Sequence, residues 1–321
     1  MIIVSVTYHF LELDFIHHST EGIDFQNEVL LSDKLLADEK FVVKTFKYFD
    51  TETSYFNRSD LNGAVRSINQ KISRRTNGMI PNAVKSLADT DMMLINSLLL
   101  DLPWLTQFVR NKRKMTFNKG DGSKVEVPGM IVSTKNIKLS NMKVGRTKEI
   151  ELKMIRIPYA DKKGKPISVE MRIFMGPMRR KGVEFLLDEE QNVDNIFELS
   201  PKGEEKKEVT LNFPIFTTKS DIDMAAFLKR NGLEKMFGTE AELTGFTKDE
   251  KQFSVRDINQ QVLVNVTEYG TTAAAVTRLD LALLSAGETE FVNVNVPFIF
   301  TIWDTVQNIP LIVGIINDPT Q

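Results

Sequence analysis

The sequence predicts an α+β fold, and three observations carry that expectation. Helical periodicity gathers early in the chain, strand-and-turn patterning fills the stretch from about Lys114 to Met175, and long apolar blocks lie near the C-terminus. Helices grouped before strands point away from a doubly wound parallel sheet. The first helical pattern, Asp38–Phe49, sets Phe41, Val42, Thr45, Phe46 and Phe49 on one face. The second, Asp60–Ile72, does the same with Leu61, Ala64, Val65, Ile68 and Ile72. Strands are expected over Lys124–Val127, Lys148–Ile157 and Ser168–Phe174, joined by Gly- and Lys-rich connections such as Asp161-Lys-Lys-Gly164. A third helix is expected over Asp221–Phe237, with Asp221 as its cap and Gly232 interrupting it. Val262–Thr267 and Val296–Ile302 close the series as apolar strands.

The chain of 321 residues is 42% hydrophobic and 26% charged, with a net charge of −2, the balance of a soluble globular protein. Near-neutrality offers no field for nucleic acid or an anionic membrane. No apolar run reaches the roughly 20 residues of a spanning helix, and the opening Met-Ile-Ile-Val-Ser-Val lacks a signal peptide's basic flank and core length. There is no cysteine, so disulfides, thiolate metal sites and a cysteine nucleophile are excluded. The histidines are His9, His17 and His18, all within the first twenty residues, and no Gly-x-Ser-x-Gly turn exists. A hydrolase therefore lacks its parts. The pair His17-His18 has no third ligand at workable spacing and reads as a surface pair, so no metal or cofactor is expected. Gly120-Asp-Gly122 lies in a turn and is no phosphate loop. The clusters Arg110–Lys114 and Arg179-Arg180-Lys181 read first as solvated faces and second as a site for a heparin-like polyanion. Sequons stand at Asn57 and Asn265; the second falls in an expected buried strand, which leaves Asn57 as the glycan site.

The most informative run is Glu268–Ser285. Read with period two, one set is Thr271, Ala273, Ala275, Thr277, Leu279, Leu281 and Leu283, small or apolar throughout. The other is Thr272, Ala274, Val276, Arg278, Asp280 and Ala282, and it holds both charges. That is the alternation of a half-buried strand. Its first half, however, is glycine, alanine and threonine, too weak in packing to hold a strand in place. Such a segment is a loop able to become a strand.

The same residues carry a resemblance. Glu268-x-Gly270-Thr271-x-Ala273-Ala274-Ala275-x-Thr277 is similar to the reactive-loop hinge of serpins, the serine-protease inhibitors. Four further blocks match in order: Ile68-Asn69 to Ile80; Ile95–Leu100 with Trp104 and Phe108; Pro214 to Gly245; and Pro297-Phe298-x-Phe300-x-Ile302 with Gly314, Ile316 and Asn317-Asp318-Pro319. The resemblance runs from about Asn27 to Pro319.

It implies one serpin domain over residues 1–321, with a large central mixed β-sheet, packed helices and an exposed reactive-centre loop at 268–290. It also implies an inhibitor, not an enzyme. The target protease cuts the loop and forms an acyl-enzyme, and the cut loop then inserts into the main sheet. The hinge would comprise Glu268, Gly270, Thr271, Thr272, Ala273, Ala274, Ala275 and Thr277, with no charge on its inward set. Counting Glu268 as the first residue, family spacing puts the cut after the seventeenth, so the reactive bond is Leu284–Ser285, with Leu283 as the alternative by one register. Leucine there suits a chymotrypsin-like primary pocket; Arg278 lies too near the hinge, and Asp280 too far from the bond, to be the bait. Sheet opening would involve Trp104, Asn96 and Gln260. Ile215 stands where the family commonly carries a lysine facing the position of Glu268.

The expected departure is at the start. The family's first three helices and early strand have no counterpart in residues 1 to about 26, where Tyr8–Ile16 is at most an amphipathic stub. An N-terminally shortened domain is therefore expected, and an inactive or non-inhibitory binding protein is the alternative function. A complete form would be a monomer, acting outside the cell, where the family resemblance places it.

Overall fold

The computed structural model describes residues 3–4, 22–144, 150–176, 207–243, 245–248, 253–271 and 289–320. Along the chain, strands β1 (Ile3–Val4) and β2 (Ile23–Ser32) lead to helix α1 (Glu39–Phe49), β3 (Thr51–Phe56) and helix α2 (Leu61–Arg75). Then come β4 (Met92–Leu100), β5 (Leu102–Pro103), β6 (Val109–Arg110), β7 (Met115–Asn118), β8 (Lys124–Val127), β9 (Gly129–Thr134) and β10 (Lys138–Val144). Next are β11 (Ile150–Ala160), β12 (Pro166–Met175), β13 (Glu208–Pro214), β14 (Phe216–Asp223) and helix α3 (Met224–Leu228). The series ends with β15 (Val255–Val266), β16 (Gly270–Thr271), β17 (Thr289–Asn293), β18 (Phe298–Asp304) and β19 (Ile309–Ile316).

Local chemistry sets the two long helices. Asp38 caps α1 by accepting from the amides of Lys40 and Phe41, and Asp50 ends it in the left-handed region. Asp60 caps α2 through the Gly63 amide at 2.8 Å, and Ile68 and Ile72 are buried beneath it. Those two join Leu30, Phe56, Met93 and Ile95 in one core cluster, which fixes α2 over β2, β3 and β4.

The third expected helix needs correction. Residues through Asp223 pair one for one with β15, Asp221 opposite Gln261, so Asp221 belongs to a strand and does not stand at a helix start. Helix begins only at Met224, loosens into a π turn at Lys229–Leu233 where Gly232 has φ +89°, and ends as a 3-10 turn at Phe237. Ladder hydrogen bonds to a long buried strand outweigh the local helical periodicity of 221–223.

The central sheet has seven strands: β3, β2, β4, β15, β16 and β5 in order, with β14 on the outer side of β15. It is mixed, because β4–β15 and β2–β3 are parallel pairs while β2–β4 and β14–β15 are antiparallel. A six-stranded sheet (β1-β19-β18-β12-β11-β10) and a four-stranded one (β17-β13-β9-β6) share the main core with its upper half. Phe213, Phe216, Phe298 and Phe300 interlock there, with ring centroids 5.8–6.0 Å apart. Among the described residues no helix is long and apolar enough to cross a membrane.

Candidate functional site: loop hinge and sheet seam

β15 ends at Val266, and the chain turns through Thr267–Gly270 on reciprocal amide–carbonyl bonds between those two residues. β16 then runs back between β15 and β5: Thr271 pairs with Val266 on one side and Leu102 on the other. Gly270 sits at φ +157°, and a Cβ there would collide with the Leu102 carbonyl, so close backbone approach requires glycine. Thr271 is fully buried. Its hydroxyl shares a 2.5 Å hydrogen bond with the phenol of Tyr159, whose pKa burial pushes well above its usual 10, keeping it neutral.

Trp104 binds this corner together. Its ring stacks on Tyr159, with centroids 4.6 Å apart and planes 10° from parallel. Its indole Nε1 donates to the Thr267 carbonyl at 2.8 Å, and its amide donates to Tyr269 O at 3.1 Å. The Phe108 amide holds the Glu268 carbonyl at 3.1 Å. The position of Ile215 is apolar and packs against the core, and the cation facing Glu268 is Arg110, 3.8 Å away. Arg110 itself stays largely exposed, as a member of a solvated basic face would be.

Below the hinge lies the seam between β4 and β15, hydrogen-bonded from Met92–Val255 to Leu98–Val262. The strands are joined there and the sheet is closed. Side-chain amides cross the seam in one line. Gln260 Nε2 donates to Asn96 Oδ1 at 3.2 Å, Asn96 Nδ2 donates to Asn27 Oδ1 at 2.7 Å, and Asn27 Nδ2 donates to the Phe49 carbonyl at 2.8 Å. Gln260 Oε1, at the far end, is buried without a hydrogen-bond partner among the described residues.

Asn57 is exposed, and its side-chain oxygen caps a short 3-10 turn through the Ser59 amide. Asn265 is half-buried in β15 and accepts from Thr217. Thr272, Ala273, Ala274, Ala275, Thr277, Leu284 and Ser285 lie outside the described residues, as do the three histidines, Tyr8–Ile16 and Arg179–Lys181. Among the described residues no group of acidic or imidazole side chains is placed to hold a metal.

A family profile described as serpin (serine protease inhibitor) matches residues 6–319. The chain is a serpin. Mouse Serpin B11 is similar to it at 26% identity, over 91% of this chain and 70% of that protein. Alpha-1-antiproteinase S of Cavia porcellus is also 26% identical, over 95% of this chain and 71% of its own length. Serpin48 of the insect Tenebrio molitor has the same fold, with a TM-score of 0.77 at 22% identity over 96% of this chain and 79% of that structure. The family is one of protease inhibitors, not of catalysts. In this serpin Trp104 lies at the corner beside Thr271, and Asn96 and Gln260 lie on the β4–β15 seam, while Tyr159, Asn27 and the approach of Arg110 to Glu268 were not anticipated from the sequence.

Proposed function

We propose that this serpin inhibits chymotrypsin-like serine proteases by covalent trapping, with Leu284–Ser285 as the reactive bond and residues 268–290 as the loop of a single domain over 1–321. The observation that carries the reading is the position of Thr271, already paired within the central sheet between β15 and β5 and in line with the β4–β15 seam. Insertion then continues a strand that has begun. Ala273, Ala275, Thr277 and Leu279 follow Thr271 on the inward face by alternation, and Arg278 and Asp280 stay in water.

The scale is adequate. About a dozen new ladder bonds at roughly 1 kcal/mol each match a whole domain's stability of about 5–15 kcal/mol, and inward leucines add apolar burial. Strand addition of this kind and the strain it releases are general devices. The serpin family resemblance also supports action outside the cell and a heparin-like polyanion contact at Arg110–Lys114 and Arg179–Lys181, and the sequon at the exposed Asn57 supports a glycan there.

Incubation with chymotrypsin followed by a denaturing gel tests the proposal. A band at the summed mass of protease and serpin is the expected result. Cleaved serpin beside free, active chymotrypsin would overturn it in favour of a non-inhibitory binding protein.

A further inference from the structure

The four-stranded sheet turns an unusual face away from the core. In β17, Val292 points inward and is buried, while Phe291 points outward and is 62% exposed. On the opposite edge, Val109 of β6 is 57% exposed. Register sets Phe291 beside Thr210, and Val109 beside the half-buried Ile131. Three strand spacings of about 4.8 Å place the two apolar edges roughly 14 Å apart.

The polar groups between those edges bond to one another. Ser133 and Thr210 share a hydroxyl bond of 2.6 Å. Asn111 Nδ2 donates to Asn212 Oδ1, and Asn212 Nδ2 donates to Asn293 Oδ1, both at 2.8 Å. The centre of the face is therefore uncharged and internally satisfied, so covering it with another protein costs little in lost hydration. Beyond Val109 the exposed Lys112, Arg113 and Lys114 give it one positive edge.

The occupant follows from where the loop ends. The proposed cut at Leu284–Ser285 lies between Thr271, anchored in β16, and Thr289, where β17 starts. Six residues from Ser285 to Phe291 span at most about 20 Å of extended chain. A protease of roughly 230 residues has a radius of gyration near 17 Å and is about 45 Å across. Its body is therefore large enough to reach this sheet when its cleft closes on the bond.

We propose that the outer face of the β17-β13-β9-β6 sheet is a second contact surface for the target protease. Phe291 is its apolar anchor, and the Lys112–Lys114 edge meets an acidic rim on the protease. The inference rests on the proposed reactive bond, and its test separates the two. The second-order rate of chymotrypsin attack on the loop is measured for the unaltered serpin, Phe291→Ser, Phe291→Tyr and Lys112→Glu, with the fraction trapped scored separately. A peptide covering residues 278–290 serves as the control substrate.

Phe291→Ser is expected to slow attack about tenfold, and Phe291→Tyr to restore it. Lys112→Glu is expected to slow attack severalfold at low salt, with the difference disappearing at high salt. The peptide is cut at one rate throughout, and the fraction trapped is unchanged. Rates for Phe291→Ser within twofold of the unaltered serpin, with an unchanged melting midpoint, would overturn the surface. A serpin that is cut but never trapped would overturn the inhibitory reading alone, because the cleavage rate still reports docking.

Discussion

Tyr159 and Thr271 are 112 residues apart in sequence, yet their hydroxyls meet at 2.5 Å in the fully buried corner where the loop hinge enters the central sheet. Tyr159 belongs to β11 of the six-stranded sheet and Thr271 to β16 of the seven-stranded one. The bond therefore ties the last described residue before the proposed loop insertion to a neighbouring sheet. On the proposed function, the hinge is seated before any protease arrives.

Thr271→Arg should expel that residue, since a guanidinium has no partner in a site closed by Trp104 and Tyr159 and burying it unpaired is costly. Chymotrypsin should then cut the loop without forming a stable complex. A complex band of undiminished intensity for Thr271→Arg, or for Ala273→Arg one inward position further on, would count against loop insertion.

Tyr159→Phe removes the hydroxyl and leaves Thr271 Oγ1 buried without that partner. The expected loss is about 1–2 kcal/mol of stability, read as a lower urea midpoint. The hinge should also become more accessible, seen as faster hydrogen exchange at the Thr271 amide. A fall in midpoint without faster exchange would place the effect elsewhere in the core.

Asn96→Ala breaks two links of the amide line at once, those to Gln260 and to Asn27. Stability should fall by about 1–3 kcal/mol, and spontaneous seam opening should become faster. Incubation with a synthetic peptide of residues 271–282 measures that opening through the rise in melting temperature as the peptide anneals between β4 and β15. Equal annealing rates for Asn96→Ala and the unaltered serpin would show that the amide line does not hold the seam.

Glu52 on β3 binds both Arg75 and Lys71 of α2, and Lys71 also reaches Glu28 on β2 at 2.7 Å. The Arg75 hydrogen bond, supported by Lys71 against the opposing push of burial, holds the Glu52 carboxyl below its usual value of 4.5. A carboxyl with a depressed folded pKa stabilises the fold above about pH 4.5 and loses that contribution as pH falls through the folded value. Glu52→Gln should therefore lower the urea midpoint near neutrality and leave it nearly unchanged near pH 3. The pair is partly exposed, so the difference should be small and reduced by salt.

Leu284→Arg should transfer inhibition from chymotrypsin to trypsin, because an acidic primary pocket accepts the guanidinium and an apolar one does not. Trapping of trypsin by Leu284→Arg would fix the register of the bond. If Leu283→Arg converts specificity and Leu284→Arg does not, the cut lies one residue earlier.

Much of the fold is legible in local pattern. The caps Asp38 and Asp60, the apolar faces of α1 and α2, and the alternation of β11 and β12 are short-range signals, and each element stands where those signals place it. Asp221–Asp223 misled because helix propensity is a weak local preference, and a twelve-residue neighbouring strand supplied a full hydrogen-bond ladder instead. Arg110 was read with its basic neighbours because charge runs are visible in sequence, whereas its approach to Glu268 depends on how β6 lies against the end of β15.

The small, uncharged alternation of the run after Gly270 is a property of the sequence itself. Only a run of small residues with an uncharged alternate face can serve as both loop and strand, and that property resides in the run alone. Its seating in the sheet belongs to the folded molecule. Thr271 against Tyr159, Asn96 between Gln260 and Asn27, and Trp104 over the Thr267 carbonyl join residues 69 to 164 positions apart. Such contacts form where sheets are brought together by burial of a shared core, and no local pattern encodes which polar side chains will face each other across it.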